Sequence, residues 1–297
     1  MIINKANLAG MFTAFKTAFR QALTTTPAQW QKVATLVPST TKEEKYAWLG
    51  QWPRLRKWVG DRVIKSLAAH DYTLKNEKFE STVSVPRDDI EDDVYGVFTP
   101  LFSEMGNAAA THPDELVFAL LTSGFSAVCY DGQYFFDTDH PVGNDETGIT
   151  SVSNMQSGAG NPWYLLDTSR SIKPLIFQRR RDYNLNSLQD ESDQNVFMRD
   201  EYLYGIDARV NAGFGLWQLA FGSKATLDEA NYDAAVAAMM AFKSDEGRPI
   251  GIKPNLLVCG PSNRAAAKKV IEKATLANGE DNHNYKDVEV LVVPWLE

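Results

Sequence analysis

A strand that leads directly into a helix is the feature of this sequence that most constrains its fold. Apolar and polar residues alternate from Phe79 to Val85, and Pro86 ends the run. Alternation with a period of two predicts a half-buried strand. Apolar residues then recur at steps of three and four from Ile90 to Ala109, which predicts a long helix with one buried face. This pair of elements is expected to organise the rest of the chain.

Two interruptions are expected in the helical region. Gly96 and Pro100 predict a kink or a restart near Thr99, because proline removes a backbone hydrogen-bond donor. A second, separate helix is predicted to start with Pro113 at its first position and to end at Gly124, since proline favours helix starts and glycine favours helix ends.

A cluster of acidic residues stands at the start of this region: Asp88, Asp89, Glu91, Asp92 and Asp93. Carboxylates in the first turn of a helix are stabilised by the positive end of the helix dipole, by ~0.3–1 kcal/mol each. Clustered carboxylates also suit a hard cation such as Ca²⁺. The cluster has neither a glycine turn nor a regular ligand spacing, so the helix-start interpretation is favoured over a metal site.

The composition predicts a soluble globular protein. The chain has 297 residues, of which 44% are hydrophobic and 23% charged, and its mean hydropathy is −0.31. That length suits one large or two ordinary domains. No apolar run approaches the ~20 residues that cross a bilayer, and the first residues lack the apolar core of a secretory signal. Cys129 and Cys259 lie in separate apolar runs, which favours buried reduced thiols over a disulfide.

The amino-terminal segment differs in charge from the rest of the chain. Residues 1–42 carry five basic and no acidic side chains, although the whole chain has a net charge of −8. Apolar residues at helical spacing predict a helix from Asn7 to Thr24. The segment is expected either to be an ordinary solvated face or to contact nucleic acid or an acidic neighbouring surface. Its apolar side could dock on its own domain or on another subunit.

Residues 43–80 mix aromatic and basic side chains. Tryptophan and arginine are both enriched at the centres of protein–protein contacts. The same mixture could stack single-stranded nucleic acid, but the segment also holds acidic residues and lacks a repeated aromatic pattern. A protein–protein contact on a long hairpin or flap is therefore favoured. The residues concerned are Trp48, Trp52 and Trp58, interleaved with Arg54, Arg56, Lys57 and Arg62.

Residues that could carry chemistry are few. Asp137, Asp139 and His140 could bind a metal or act in acid–base catalysis, but their Asp-His-Pro sequence is also typical of the turn that leaves a short hairpin. The turn is favoured. A basic triplet at residues 179–181 suits a solvated loop or an intersubunit ion pair better than phosphate binding. The sequence contains no serine-hydrolase elbow, zinc-protease motif, paired CxxC cysteines or phosphate-binding loop.

The second half of the chain changes from strands to a mixed pattern. Residues 163–222 are predicted to be rich in strands. A helix is predicted from Leu227 to Phe242, a buried strand at residues 255–260, a helix from Arg264 to Ala277 and a last strand at residues 288–296. Strand, helix and strand in this order predict a compact α/β lobe.

Several collinear segments together give the sequence a recognisable family pattern. They include STTKEEKYAWLGQWPRLRKWVGDR, FESTVSVPRDDIEDDVYGVFTPLF, CYDGQYFFDTDHP, WYLLDTSRSIKPLIFQRRR, YGIDARVNAGFGLWQLAFGS, GRPIGIKPNLLVCGPS and LVVPWL. Over nearly its whole length the chain resembles the major head subunit of Mu-like phages and prophages.

The resemblance implies an α+β chain with the HK-97 type phage capsid fold. That fold comprises an amino-terminal arm, an extended loop, a peripheral domain with a long spine helix, and an axial domain. Carried onto this sequence, the arm is residues 1–40 and the extended loop residues 41–80. The peripheral domain is residues 81–225, with the spine helix within 88–111, and the axial domain is residues 226–297.

The resemblance also implies a structural function. Copies of the chain would assemble as hexamers and pentamers into an icosahedral head around the double-stranded DNA of a tailed phage, with no catalytic residue, cofactor, metal or membrane. The expected partners are further copies of the chain, a portal, a scaffold or protease, and a decoration protein, with non-specific contact to packaged DNA. The expected location is the virion and, during assembly, the host cytoplasm.

Two other functions remain open at this point: an encapsulin-like shell without a genome, and a metal-dependent enzyme that uses Asp137, Asp139 and His140. For the favoured function, the candidate intersubunit contacts are aromatic, basic or acidic residues. They lie in the arm, in the extended loop, at the helix start and in the basic triplet. They are Phe12, Phe15, Arg20, Trp48, Trp52, Arg54, Arg56, Trp58, Arg62, Asp88, Asp89, Glu91, Arg179, Arg180 and Arg181.

Overall fold

The computed structural model describes residues 3–50, 52, 72–92, 94–144, 148–276 and 279–296. The helices are α1 (Lys5–Thr25), α2 (Arg87–Glu91), α3 (Thr99–Ser123), α4 (Gln194–Arg199), α5 (Glu229–Met240) and α6 (Arg264–Ala267). The strands are β1 (Ala34–Pro38), β2 (Glu43–Lys45), β3 (Thr73–Lys75), β4 (Glu77–Pro86), β5 (His140–Asn144), β6 (Gly148–Val152), β7 (Met155–Gln156), β8 (Trp163–Leu166), β9 (Leu175–Leu188), β10 (Glu201–Phe214), β11 (Ala220–Ser223), β12 (Leu256–Cys259) and β13 (Glu289–Val292).

Four separate sheets contain these strands. A four-stranded sheet has the order β1-β9-β10-β4, in which only β1 and β9 run parallel. A five-stranded sheet has the order β13-β12-β8-β11-β7. Two-stranded sheets join β2 with β3 and β5 with β6. Mixed sheets with helices set apart from them confirm the predicted α+β class.

Helix α1 docks on its own chain. The side chain of Asn4 caps the amino-terminal end of α1, where its Oδ1 accepts the Asn7 backbone N–H at 2.9 Å. The buried face of α1 packs on α3, and the Phe15 ring stacks on Phe102 with centroids 4.1 Å apart and meets Tyr204 edge-on. The predicted helical stripe is thus confirmed, and of its two possible partners the structure places it against α3.

Helix α3 runs without a break from Thr99 to Ser123 and contains Pro113. The predicted restart at Thr99 is confirmed, but the prediction of a separate helix starting at Pro113 is wrong, and so is the 88–111 range for the long helix. Tertiary packing explains the continuity, because buried residues recur along one face on both sides of Pro113. Next to it, the buried Asp114 carboxylate accepts the backbone N–H groups of Gln29 and Trp30, which ties this turn to the segment after α1.

The largest core surrounds the five-stranded sheet, whose central strands β8 and β12 are buried along their whole length. Strands β7, β8 and β11 precede residue 226, whereas β12 and β13 follow it. The sheet therefore joins residues from both sides of the predicted boundary between peripheral and axial domains. Within the described part of the chain, no helix is both long and apolar enough to span a membrane.

Candidate intersubunit surfaces

The candidate contacts in the amino-terminal arm differ in exposure. Phe15 is only 1% exposed, so its ring is used inside the subunit and offers no surface to a neighbour. Phe12 is half-buried, and the Lys16 ammonium lies 5.4 Å from the centre of its ring. Arg20 is exposed. Of the arm candidates, Phe12 and Arg20 therefore remain available for contact with another copy.

The structure describes only some of the aromatic and basic candidates in residues 43–80. Trp48 and Trp52 are half-buried, and the Arg170 guanidinium lies 5.1 Å from the centre of the Trp52 ring. Arg54, Arg56, Trp58 and Arg62 lie outside the described residues. The predicted hairpin is confirmed at its base, where β2 pairs antiparallel with β3.

A buried polar network fixes the base of this loop. The Asn76 amide donates to Ser39 Oγ at 2.8 Å and to the Thr41 carbonyl at 3.0 Å. Gln178, which is wholly buried on β9, donates to Asn76 Oδ1 at 2.9 Å and accepts the Tyr46 hydroxyl at 2.7 Å. Buried amides must be paired, so this network selects one position for the loop base relative to the four-stranded sheet.

Glu44 also stabilises the base of this loop, through hydrogen bonds to its carboxylate. Its Oε1 accepts the backbone N–H groups of Thr40 at 2.9 Å and Thr41 at 3.1 Å, and the hydroxyls of Ser39 and Thr41. The backbone hydrogen bond from Thr40 contributes most, and together these bonds lower the pKa of Glu44 to about 2. A folded-state pKa below the ordinary value means that this carboxylate stabilises the loop base above about pH 4.5, and that the effect is lost as the pH falls through about 2.

Replacing Glu44 tests this arrangement. Glu44→Gln is expected to increase amide hydrogen exchange at Thr40 and Thr41 by ~3–10-fold at neutral pH, because bonds to a charged acceptor are roughly twice as strong as neutral ones. The increase should shrink as the pH approaches 2. The exposed neighbour provides a matched control, Glu43→Gln, which should change little. Equal exchange in the two variants would contradict the assigned role of Glu44.

Three of the charged candidates on the sheet and at the helix start form ion pairs within the chain. The basic triplet lies in strand β9, so the prediction of a loop at residues 179–181 is wrong. Glu91 pairs with Arg87 at 3.1 Å, one helical turn away, which agrees with the helix-start interpretation of the acidic cluster. Asp88 is exposed and Asp89 half-buried. In the basic triplet, Arg179 pairs with Asp182 at 3.0 Å, Arg181 pairs with Asp207, and Arg180 is exposed.

A groove that sequence reasoning missed lies between α3 and the four-stranded sheet. Its volume is about 410 Å³, and we refer to it as the α3–β4 groove. Its floor is apolar and includes Met105, Ile206 and Ala208, whereas Glu80 and Glu104 are exposed at its edges. Two pairs of elements that are distant in the sequence build it, β4 with α3 and β9 with β10, so no local pattern could have revealed it.

One end of the groove is held by a polar contact between side chains. His112 Nδ1 lies 2.6 Å from the Tyr183 hydroxyl, and the Phe79 ring meets the imidazole edge-on at 4.4 Å. Burial lowers the pKa of His112, which favours a neutral ring in the groove wall. Aromatic side chains in its wall and an apolar floor suit the groove to receive a large side chain.

The possible catalytic residues are Asp137, Asp139 and His140, and in the structure the His140 ring forms its hydrogen bonds with other residues than these two aspartates. His140 is completely buried and contacts Asp131 and Asn154, while Asp139 is exposed. Asp137 donates its backbone N–H to Asn154 Oδ1 and accepts the Tyr134 N–H on its carboxylate, as expected for a turn. Both cysteines are free and buried, as predicted.

Comparison with known families decides between the remaining functions. The family model of the Mu-like prophage major head subunit gpT matches residues 8–296. This chain belongs to that family. As a Mu-like major head subunit it is a structural protein of the phage capsid.

Individual relatives of the Mu-like head subunit agree with this assignment. The chain is 44% identical to the Mu-like prophage FluMu major head subunit of Haemophilus influenzae, over 89% of this chain and 88% of the relative. It is 41% identical to the major capsid protein of Escherichia phage Mu, over 94% of this chain and 93% of the relative.

Solved capsid structures show the same fold. A subunit of the bacteriophage JBD30 procapsid superposes with a TM-score of 0.89 and 51% identity, covering 99% of this chain and 100% of that one. A subunit of the JBD30 capsid gives a TM-score of 0.80 and 39% identity, with full coverage of both chains. The expected phage capsid fold of the HK-97 type is thereby confirmed.

Proposed function

We propose that copies of this chain assemble as hexamers and pentamers into the icosahedral head of a tailed, Mu-like phage and enclose its double-stranded DNA. The observation that carries the proposal is the likeness to capsid subunits over 99–100% of the chain, in both a procapsid and a capsid. A subunit in this role needs no catalytic residue, cofactor or metal.

The partners of the shell belong to the same proposal. One JBD30 capsid structure is decorated with minor capsid protein trimers, which supports a decoration partner for this chain as well. We infer that a portal and a scaffold or protease act with the shell in the host cytoplasm. Exposed basic side chains such as Arg20 would make non-specific contact with packaged DNA through its phosphates.

The domain limits are proposed in a modified form. Residues 1–40 act as the arm, residues 41–80 as the extended loop and residues 81–225 mainly as the peripheral domain. We assign strands β7, β8 and β11 to the axial lobe together with residues 226–297, because these strands share one sheet with β12 and β13. This change removes a domain boundary that would otherwise pass through a hydrogen-bonded sheet.

The α3–β4 groove is proposed as the place where the extended loop of a neighbouring copy docks. Residues 51–71 of the loop contain five basic and two acidic residues along with two tryptophans. The groove offers an apolar floor to an aromatic side chain and the exposed carboxylates of Glu80 and Glu104 to basic ones. Opposite charges around an apolar centre are the usual arrangement of a specific protein interface.

Electron microscopy of the purified full-length chain tests the head function. Closed shells are expected, and particles from phage-producing cells are expected to contain DNA. A soluble monomer at high protein concentration, with a stoichiometric metal that is lost in His140→Ala, would contradict the proposal and favour an enzyme. Shells that never contain nucleic acid would contradict the head function in favour of a genome-free compartment.

A further inference from the structure

A buried carboxylate and a buried imidazole meet beside the five-stranded sheet. The turn from Cys129 to Gln133, with Gly132 at a φ of +90°, places Asp131 under the end of β5. Asp131 Oδ2 lies 2.7 Å from His140 Nδ1. Its other oxygen accepts the Gln133 backbone N–H at 3.1 Å and the Cys129 thiol at 3.0 Å. The two donors at Oδ1 favour the ionised form of Asp131, which accepts hydrogen bonds and donates none.

Asn154 determines which nitrogen of His140 carries hydrogen. The Asn154 amide nitrogen donates to the Phe135 carbonyl at 2.8 Å, so its oxygen points the other way. That oxygen accepts the Asp137 backbone N–H at 2.9 Å and lies 3.2 Å from His140 Nε2. An acceptor facing Nε2 requires a hydrogen on Nε2.

The opposite nitrogen therefore needs a hydrogen too. If the ring were neutral with its hydrogen on Nε2, the Nδ1 lone pair would face the Asp131 carboxylate at 2.7 Å, and the two acceptors would repel. A proton on Nδ1 turns this repulsion into a charged hydrogen bond, which has the short length observed. The His140 ring also stacks on Trp217 with centroids 4.0 Å apart and planes 11° apart, where an aromatic face favours a cation.

The other ionisable groups around the pair do not replace Asp131 as the counter-ion. Burial raises the pKa of the Cys129 thiol, so this group remains neutral. Asp139 is exposed to solvent. Asp245 accepts the Gly143 backbone N–H, and the Tyr130 hydroxyl is paired with Gln218. Trp217, which stacks on the His140 ring, packs in turn against Phe242.

A metal ion is a weaker explanation of the same geometry. Cys129, Asp131 and His140 offer three ligand atoms that all lie within 4.8 Å of one another. A buried structural zinc site uses four protein ligands, and these three are the only candidates among the described residues around this point. In addition, the 2.7 Å between nitrogen and oxygen matches a shared proton.

We propose that His140 is a buried imidazolium, and that its ion pair with Asp131 is a pH-sensitive clamp on the hairpin formed by β5 and β6. His140 is the first residue of β5, and this hairpin forms a two-stranded sheet of its own whose outer strand is largely exposed. An isolated two-stranded sheet is marginally stable, so its anchorage at His140 decides its order. Burial opposes the ionisation of Asp131, but the hydrogen bond and charge of His140 lower its pKa below the ordinary value.

The clamp has a defined response to pH. A carboxylate whose pKa is lowered in the folded state stabilises the fold above its unfolded pKa, and this stabilisation is lost as the pH falls through the folded pKa. Protonation of Asp131 in acid removes the counter-charge of His140, so the hairpin should lose order as the pH falls through the folded pKa of Asp131.

Nitrogen NMR of the full-length chain labelled with ¹⁵N-histidine tests the charge state directly, since the chain has only four histidines. His140→Gln assigns the signal by its disappearance. At neutral pH both His140 ring nitrogens should show the similar shifts of an imidazolium, as the hydrogen-bond acceptors on both sides of the ring require. The widely separated shifts of a neutral ring at this pH would overturn the proposal.

Two variants separate the clamp from a metal site and from a merely structural role. Cys129→Ala should leave the His140 signals charged, whereas zinc bound in the wild type and lost in this variant would overturn the proposal. Asp131→Asn removes the counter-charge of the buried ring, so the ring should become neutral. Hydrogen-exchange protection in strands β5 and β6 should then fall by about tenfold or more. If Asp131→Asn does not fold, the wild-type signals and Cys129→Ala still decide the question.

Discussion

Gly106→Val is expected to detach α1 from α3 and to destabilise the subunit strongly. A Cβ atom at Gly106 would lie 2.4 Å from the Phe19 carbonyl oxygen and 2.8 Å from Ala22 Cβ on α1. The first of these atoms belongs to the backbone, so the clash cannot be relieved by rotating a side chain. Overpacking of this kind costs typically ~1–3 kcal/mol, and the two further methyl groups of valine add to it.

Gly106→Ala, a smaller change at the same position, is also expected to lower the stability of the subunit. Alanine is a better helix former than glycine by about 0.5–1 kcal/mol, but at position 106 the contact with α1 outweighs that gain, so Gly106→Ala should still destabilise the subunit. Gly10 on α1 is the matched control, since a Cβ there meets nothing within 4 Å. Gly10→Ala should therefore stabilise the chain by a similar ~0.5–1 kcal/mol.

Urea unfolding of the full-length chain measures both effects, with size-exclusion chromatography used to compare variants in the same oligomeric state. The midpoint should fall for both variants at position 106 and rise for Gly10→Ala. An unchanged or higher midpoint for Gly106→Val would show that α1 and α3 do not pack as closely as described.

Local periodicity in the sequence was sufficient for most elements of the fold. Phe79–Val85 alternates because one face of β4 is partly buried and the other faces solvent, and this period of two can be read from neighbouring residues. The helix restart at Thr99 was predictable for a similar reason, since Gly96 and Pro100 act on neighbouring backbone. Pro113 was misleading because the packing of α1 on α3 and the anchorage of Asp114 are long-range effects.

The functional surfaces were less predictable than the fold. Tryptophan and arginine in the extended loop indicate a contact surface by composition alone. The sequence also predicts a contact for Phe15, although its ring belongs to the core. Adjacency in sequence groups His140 with Asp137 and Asp139, whereas the folded chain pairs it with Asp131, nine residues away. Turn geometry, including the positive φ of Gly132, produces that pairing and is not visible as a motif.

Reversing the charges at the edge of the α3–β4 groove is expected to block shell assembly without unfolding the subunit. Glu80 and Glu104 are exposed, so the double variant Glu80→Lys/Glu104→Lys should keep the unfolding midpoint of the wild type. It would place lysines opposite the basic loop of the neighbouring copy. Like charges brought together in an interface cost several kcal/mol, and each 1.4 kcal/mol weakens a contact about tenfold. Because every copy in a shell repeats the contact, particle yield in electron microscopy should fall by at least about tenfold.

A charge swap makes this prediction specific to the loop. Arg54→Glu/Arg56→Glu alone should also reduce assembly, and combining it with the reversed groove should restore particles, since opposite charges then face each other again. Glu77→Lys is the matched control, because Glu77 is exposed on the same strand but does not line the groove. Normal shells from the groove variant would remove the groove from the interface. If the loop variant and the groove variant are each defective and their combination does not restore particles, the loop arginines and the groove glutamates act on different surfaces. The docking assignment therefore depends on restored assembly in the combined variant.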